Sequence, residues 1–282
     1  MILKKTAAAA LAFFLLALAP ASACTLFGAQ GSEVEGGGTL LVKNRDWHPQ
    51  YQEMRYEEGP RYRFYGIFGG SSGKMFLRGG VNEAGLAVFS AAASSIPQKE
   101  RLSMEHEKKS CIREMLGKCA TVEEALALDV LFRGPKFLML GDARELACVE
   151  IGDHGEFRVK RMKNGTLAHT NHYLFRKFQS LNRRIGQSSL TRYERIETLL
   201  GSSHEPYVLE NLMEFSQDRH DGPDNSLWRT GSGKKQDETL ASIGVWLHEG
   251  KKPDIYVKIR YSPEDQGKED VYQLEGKDLF PE

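Results

Sequence analysis

The sequence predicts an α+β layered domain on three observations: strand-like residues come in blocks, blocks of helical spacing separate them, and no βαβ period links them. Neither an internal repeat nor a long linker interrupts the chain, and 282 residues suffice for a sizeable core. Apolar residues make up 40% and charged residues 27%, the balance of a folded domain, which excludes disordered and polytopic membrane chains. Basic and acidic side chains number 38 each, and outside the N-terminus no basic stretch is interleaved with aromatics, so nucleic acid is not an expected partner.

In chain order, strand-forming residues at 25–29 and 39–42 flank the glycine turn Gly36-Gly37-Gly38, which reads as a hairpin. Asn82-Glu83-Ala84-Gly85 turns between 75–78 and 86–90, a second antiparallel pair. The spacing becomes helical over 104–116 and 121–131, the latter opened by Thr121 with Glu124 three residues on, a capping box. Strands return at 137–140, 147–151 and 157–159, helices follow at 190–200 and 205–217, and strands at 241–247 and 255–259 end the pattern.

Residues 1–23 have a different character. Lys4 and Lys5 precede an apolar run from 7 to 19, shorter than the roughly 20 residues of a spanning helix, and Ala21-Ser22-Ala23 is a small-x-small cleavage site. This reads as a secretory signal peptide, so signal peptidase is an expected maturation partner. The mature chain is then a single domain over 24–282, exported to the periplasm or outside the cell, with no stable membrane insertion. An uncleaved anchor is the competing reading, opposed by Pro20 and the Ala-Ser-Ala ending. Cleavage takes two lysines away and leaves the remainder almost neutral.

The cysteines sharpen this. Cys111 and Cys119 are eight apart in a helical pattern, about 12 Å between Cα atoms, too far for a disulfide. Cys24 would become the first residue of the mature chain and carry a thiol and a free α-amine together. An amine with a pKa near 8 can take the thiol proton, so one residue supplies both nucleophile and base. Two plainer readings compete. Cys24 could be the acylated cysteine of a lipid-anchored envelope binding protein, although Ala21 stands where a lipobox has leucine, or it could fall at the cleavage site by accident.

Cys24-Thr25, Lys43-Asn44-Arg45-Asp46-Trp47, 80–88 (Gly-Val-Asn-Glu-Ala-Gly-Leu-Ala-Val) and His169-Thr170-Asn171-His172-Tyr173 resemble the successive motifs of the cysteine N-terminal nucleophile hydrolases. Within that group the chain is similar to the acyl-coenzyme A:isopenicillin N acyltransferase-like branch, sister to the choloylglycine hydrolases and acid ceramidase. Arg192-Tyr193-Glu194-Arg195, Asp218-Arg219-His220 and 225–229 (Asn-Ser-Leu-Trp-Arg) follow in the branch's order.

The resemblance implies a four-layer αββα sandwich and attack by Cys24 on a small acyl-amide, with neither cofactor nor metal. It implies that Asp46 orients the N-terminal amine, that Asn171 donates to the oxyanion, and that Arg229 lies near the site. Asp46 also fits a turn aspartate closing its strand, Asn171 a strand-end asparagine bonding its own backbone, and Arg229 a surface ion pair. His169 and His172 lack partners at ligand spacing, which favours packing roles over metal.

The chain also departs from the pattern. Lys43 stands where choloylglycine hydrolases have an arginine three before the aspartate, and Arg45, one residue from Asp46, points to the other face of the strand. Ser90-Ala91-Ala92-Ala93 stands where choloylglycine hydrolases supply an oxyanion asparagine, so either a backbone N–H substitutes or the oxyanion hole is weaker. The expected function is hydrolysis or transfer of an acyl group from a linear, non-peptide amide.

Overall fold

The computed structural model describes residues 23–281 apart from 105, 107, 108, 204, 234, 235, 266 and 267. The signal-peptide reading lies outside the described residues except at Ala23, which opens the first strand. Two antiparallel sheets are stacked face to face. The first contains β1 (Ala23–Gln30), β2 (Thr39–Trp47), β10 (Gly165–His169), β11 (Glu238–Leu247), β12 (Asp254–Ile259) and β13 (Asp270–Leu274), in the order β10-β1-β2-β11-β12-β13. The second is a seven-stranded meander of β3 (Tyr51–Glu57), β4 (Phe64–Ser71), β5 (Lys74–Asn82), β6 (Ala87–Ala92), β7 (Lys136–Gly141), β8 (Leu146–Ile151) and β9 (Phe157–Met162), neighbours in sequence throughout.

Both faces of β1 and β2 are covered, because alternate side chains feed different cores. Cys24, Leu26 and Leu41 enter the core between the sheets, while Phe27, Ala29, Leu40 and Val42 pack under α4 (Gln187–Leu200) and α5 (Leu209–Ser216). On the far side, α2 (Cys111–Lys118) and α3 (Val122–Leu126) cover the meander through Cys111, Ile112, Met115, Leu116, Val122 and Ala125. Helix, sheet, sheet and helix make the four-layer αββα sandwich. The β1–β2 hairpin turns through Gly36, Gly37 and Gly38, all with positive φ, and a Cβ on Gly38 would stand 2.3 Å from the Leu247 carbonyl oxygen.

Three helices differ from the sequence expectation. The one expected over 104–116 is two, α1 (Gln98–Ser103) and α2, separated where Met104 adopts an extended conformation. The charged stretch after Met104 offers no apolar face to bury, whereas the face of α2 starts at Cys111. The helix expected over 121–131 ends at Leu126, since its buried face ends with Ala125, and Asp129–Leu131 forms a separate 3₁₀ turn. The capping half of that signature holds: Thr121 Oγ1 accepts from Glu124 N at 3.2 Å. Of 205–217, only α5 is helical. Tyr207 is drawn into a bridge with Val34 in which Tyr207 N donates to Glu33 O and Glu35 N donates to Tyr207 O, and Asn211 Oδ1 caps α5 by accepting from Val208 N at 3.1 Å. The 111/119 pair is unbridged, Cys119 being a buried free thiol.

Candidate active site

The site grows from the register of the first hairpin. Ala23 pairs with Asp46 and Cys24 with Arg45, so the bond between Ala23 and Cys24 lies against the end of β2. Alternation then sorts the neighbours. Lys43 and Arg45 share the inter-sheet face with Cys24, and Arg45 lies opposite Asp46 as expected. Asn44 and Asp46 point toward the helices: Asn44 Nδ2 donates to Ser216 O and Leu227 O, and Asp46 Oδ1 accepts from Thr239 Oγ1 at 2.8 Å.

On the helix side the nitrogen of Cys24 is held from across the fold. Cys24 N donates to Asn171 Oδ1 at 2.9 Å, and Arg192 Nη2 donates to the same oxygen at 2.9 Å. Arg192 Nη1 donates to Cys24 O at 2.8 Å and to Thr25 Oγ1 at 2.7 Å, and stands 3.9 Å from Asp46 Oδ2. That carboxylate oxygen is buried and accepts no hydrogen bond among the described residues. Burial pushes the Asp46 pKa up, while Arg192, Arg229 and Thr239 pull it back. Burial lowers Arg192 to about 10, partly offset by Asp46.

Asn171 is therefore at the nucleophile. Two donors converge on its Oδ1, so it holds the Cys24 nitrogen, and its Nδ2 gives one of its two hydrogens to Ala92 O at 2.9 Å. Arg229 lies near the site, as the resemblance implies, on the Asp46 side. It is buried, its Nη1 lies 3.4 Å from Asp237 Oδ2, and its backbone N donates to Thr239 Oγ1, the group that donates to Asp46. It supports Asp46 from behind, and the surface ion pair is excluded by burial. Asp237 is raised to about 6, chiefly by burial, with Arg229 opposing and Asp46 adding to the rise.

The residue that sequence reasoning left unassigned is Arg192. Its signal was present: the buried positions of α4 are Ser189, Arg192, Ile196 and Leu200, so an arginine occupies the apolar stripe of an amphipathic helix. The loop carrying Asn171 is fixed by two further groups. Ser189 Oγ accepts from Asn171 N at 3.0 Å and lies 2.8 Å from His172 Nδ1. Glu150 accepts from Leu174 N at 2.6 Å and pairs with His169 Nε2 at 3.0 Å, both side chains fully inside. His169 also stacks on Phe137, with centroids 4.3 Å apart, and burial with His169 alongside drops His172 to about 4. Both histidines thus work in packing and positioning. No His/Cys/Asp/Glu group among the described residues could hold a metal.

The inter-sheet side of Cys24 is an open cleft of about 260 Å³. Pairing between β5 and β6 stops at Phe89, and the residues beyond it, Ser90, Ala91 and Ala92, line the cleft. Their backbone is used: Lys43 Nζ donates to Ser90 O and, at 3.3 Å, to Arg78 O. Burial brings Lys43 down to about 8, a drop that the charge of Cys24 opposes.

A first strand with a buried cysteine at its beginning, in a sandwich of two antiparallel sheets between helices, defines the class of the N-terminal nucleophile hydrolases. The model of the acyl-coenzyme A:6-aminopenicillanic acid acyl-transferase family matches residues 34–259, and the chain belongs to that family. It is an enzyme of carbon–nitrogen acyl chemistry, in which water or an amine accepts the acyl group. The matched region begins ten residues after Cys24. One similar solved structure is a variant of the conjugated bile acid hydrolase from Clostridium perfringens, 12% identical, covering 89% of this chain and 92% of that one with a TM-score of 0.52, a likeness of fold. A second variant of that hydrolase is 12% identical, covers 90% and 98%, and has a TM-score of 0.49. No curated protein matches the chain.

Proposed function

We propose that the protein is an exported amidohydrolase or acyltransferase in which removal of residues 1–23 frees Cys24 as an N-terminal nucleophile acting on a linear, non-peptide amide. The observation that carries the reading is the pairing of Ala23 with Asp46 while Asn171 Oδ1 holds the Cys24 nitrogen. A freed α-ammonium needs an acceptor there, and Oδ2 of Asp46, which accepts no hydrogen bond among the described residues, is a buried acceptor in register with the bond to be cut.

In the reaction Cys24 Sγ attacks the amide carbon and its proton passes to the α-amine. The amine then protonates the leaving nitrogen as the carbon–nitrogen bond breaks. Water or an acceptor amine attacks the resulting thioester, giving its proton to the α-amine and restoring the thiol. Asn171 and Asp46 keep the amine in place, and Arg192 ties Asn171 to the strand. The lipid-anchor alternative fits less well, because Cys24 is 7% exposed and opens only on the cleft of about 260 Å³, which takes a small acyl group but not a diacylglyceryl anchor.

The test keeps the thiol and moves the amine. One residue left in front of Cys24 turns the α-amine into an amide and shifts the nearest free amine by up to about 3.8 Å. Loss of a general base costs about 10²- to 10⁴-fold in rate, so the extended protein is expected to fold and be nearly inactive until trimmed. Full amidase activity from protein shown by intact mass to retain the extra residue overturns the reading. A mass carrying diacylglycerol on Cys24 selects the anchor.

A further inference from the structure

We propose that the cleft in front of Cys24 is an anion subsite in which Arg45 and Arg78 take a carboxylate carried by the amide substrate, close to the reacting carbonyl. The proposal rests on Cys24 being the nucleophile. It starts from a charge imbalance: among the described residues, Lys43, Arg45, Arg78 and Arg101 line the cleft against a single carboxylate, Asp46. That carboxylate is directed to the other face of β2, where Thr239 and Arg192 engage it.

The cations are not equally committed. Lys43 donates to two carbonyl oxygens. Arg45, 4% exposed, has a buried Nη1 with no hydrogen-bond partner among the described residues, and the buried Nε of Arg78 has none either. Buried guanidinium groups ordinarily find acceptors, and two unsatisfied ones side by side also repel. Burial, with Arg78 alongside, lowers Arg45 to about 9. A thiolate on Cys24 supplies one negative charge to this group and leaves a surplus of positive charge. A carboxylate offers two oxygens to the guanidinium fork and fits that surplus.

One glycine organises the pair. A Cβ on Gly69 would stand 2.4 Å from Arg45 Nη2 and 2.7 Å from Cζ, so the guanidinium lies on bare backbone, and Arg78 Nη2 donates to Gly69 O at 3.2 Å. The volume of about 260 Å³ lies below the roughly 300–1,000 Å³ of drug-sized ligand sites, which places the carboxylate within a few bonds of the amide rather than at the end of a long chain.

The experiment compares alkylation of Cys24 by iodoacetate and by iodoacetamide, near-isosteric reagents that differ in charge, on the mature protein. A change in thiol acidity moves both rates together, so their ratio isolates anion recognition. The iodoacetate-to-iodoacetamide ratio at Cys24 is expected to exceed that of free cysteine by about tenfold or more, the effect of one charge-assisted hydrogen bond. It should fall toward the free-cysteine value in Arg45→Gln and in Arg78→Gln. Gly69→Ala, which displaces the Arg45 guanidinium without removing a charge, should lower it as well. A wild-type ratio equal to that of free cysteine overturns the subsite. So does an enhancement that vanishes in about 0.5 M salt or survives Gly69→Ala, since either result marks a diffuse field. Failure of both reagents to label Cys24 would instead count against the nucleophile reading.

Discussion

Along β2, Leu40, Leu41 and Val42 are fully buried, and Lys43, Asn44, Arg45 and Asp46 are buried almost as completely, none more than 4% exposed. The first three gain from burial, each on the order of 1.5–3 kcal/mol. The next four reverse the sign, because each of the three buried charges costs several kcal/mol unless paired and the Asn44 amide costs too unless hydrogen-bonded. Both halves pair with the same antiparallel neighbours, β1 and β11, and the polar half alone meets a bulge in β11, between Thr239 and Ala241. The difference teaches where this fold gives up stability: where β2 runs beside Cys24, four successive polar residues take the place of apolar ones. There the compensation is specific, Thr239 and Arg192 on one face and the carbonyls of Ser90 and Arg78 on the other.

The largest expected effect comes from breaking the polar half. Arg192→Met removes the donor to Cys24 O, Thr25 Oγ1 and Asn171 Oδ1 and leaves Asp46 without its nearest cation. Removing one partner of a buried pair costs about 3–5 kcal/mol, to be read as a lower urea midpoint, with activity lost in the fraction that remains folded. Next is the apolar half. Leu41→Ala leaves a cavity between the sheets and should cost about 2–5 kcal/mol, while kcat/KM per folded molecule stays near wild type. If Leu41→Ala harmed turnover and Arg192→Met did not, the division of β2 into a supporting and a working half would be wrong.

Much of this was legible beforehand. Cys24, Asp46 and the His169–Tyr173 motif follow from residue type and order, and the first hairpin follows from apolar runs around three glycines. Other parts were hidden for physical reasons. β4 is Phe-Tyr-Gly-Ile-Phe-Gly-Gly-Ser, in which glycines mask the strand pattern because they are needed for close approach rather than for side-chain packing. The break at Met104 is set by what α2 finds to bury, a tertiary fact. Asn171 could be placed at the site from its motif, yet the direction of its amide depends on Arg192, 21 residues further on, and on Ala92 O. Arg192 was visible as a motif residue, and only its place in the apolar stripe of α4 would have marked it as interior.

The smallest expected effect asks whether the polar half is felt as titration. Asp237, behind Asp46, is raised to about 6, whereas an unfolded aspartate titrates near 3.9, so between these values the native state binds more protons and stability falls as pH rises. His172, beside Asn171, is lowered to about 4 by burial and by His169, and an unfolded histidine titrates near 6.5. Over about pH 4 to 6.5 the native state therefore binds fewer protons there, and stability rises with pH. The two slopes cover nearly the same window with opposite signs, each at most about 1.4 kcal/mol per pH unit, so the contributions of these two groups should nearly cancel between pH 4 and 6. Asp237→Asn removes the falling term and should expose a stability that climbs with pH. His172→Gln removes the rising term and should expose one that declines. Urea unfolding at half-unit pH steps reads both slopes, and a decline in Asp237→Asn or a climb in His172→Gln would show that these two groups do not carry the linkage.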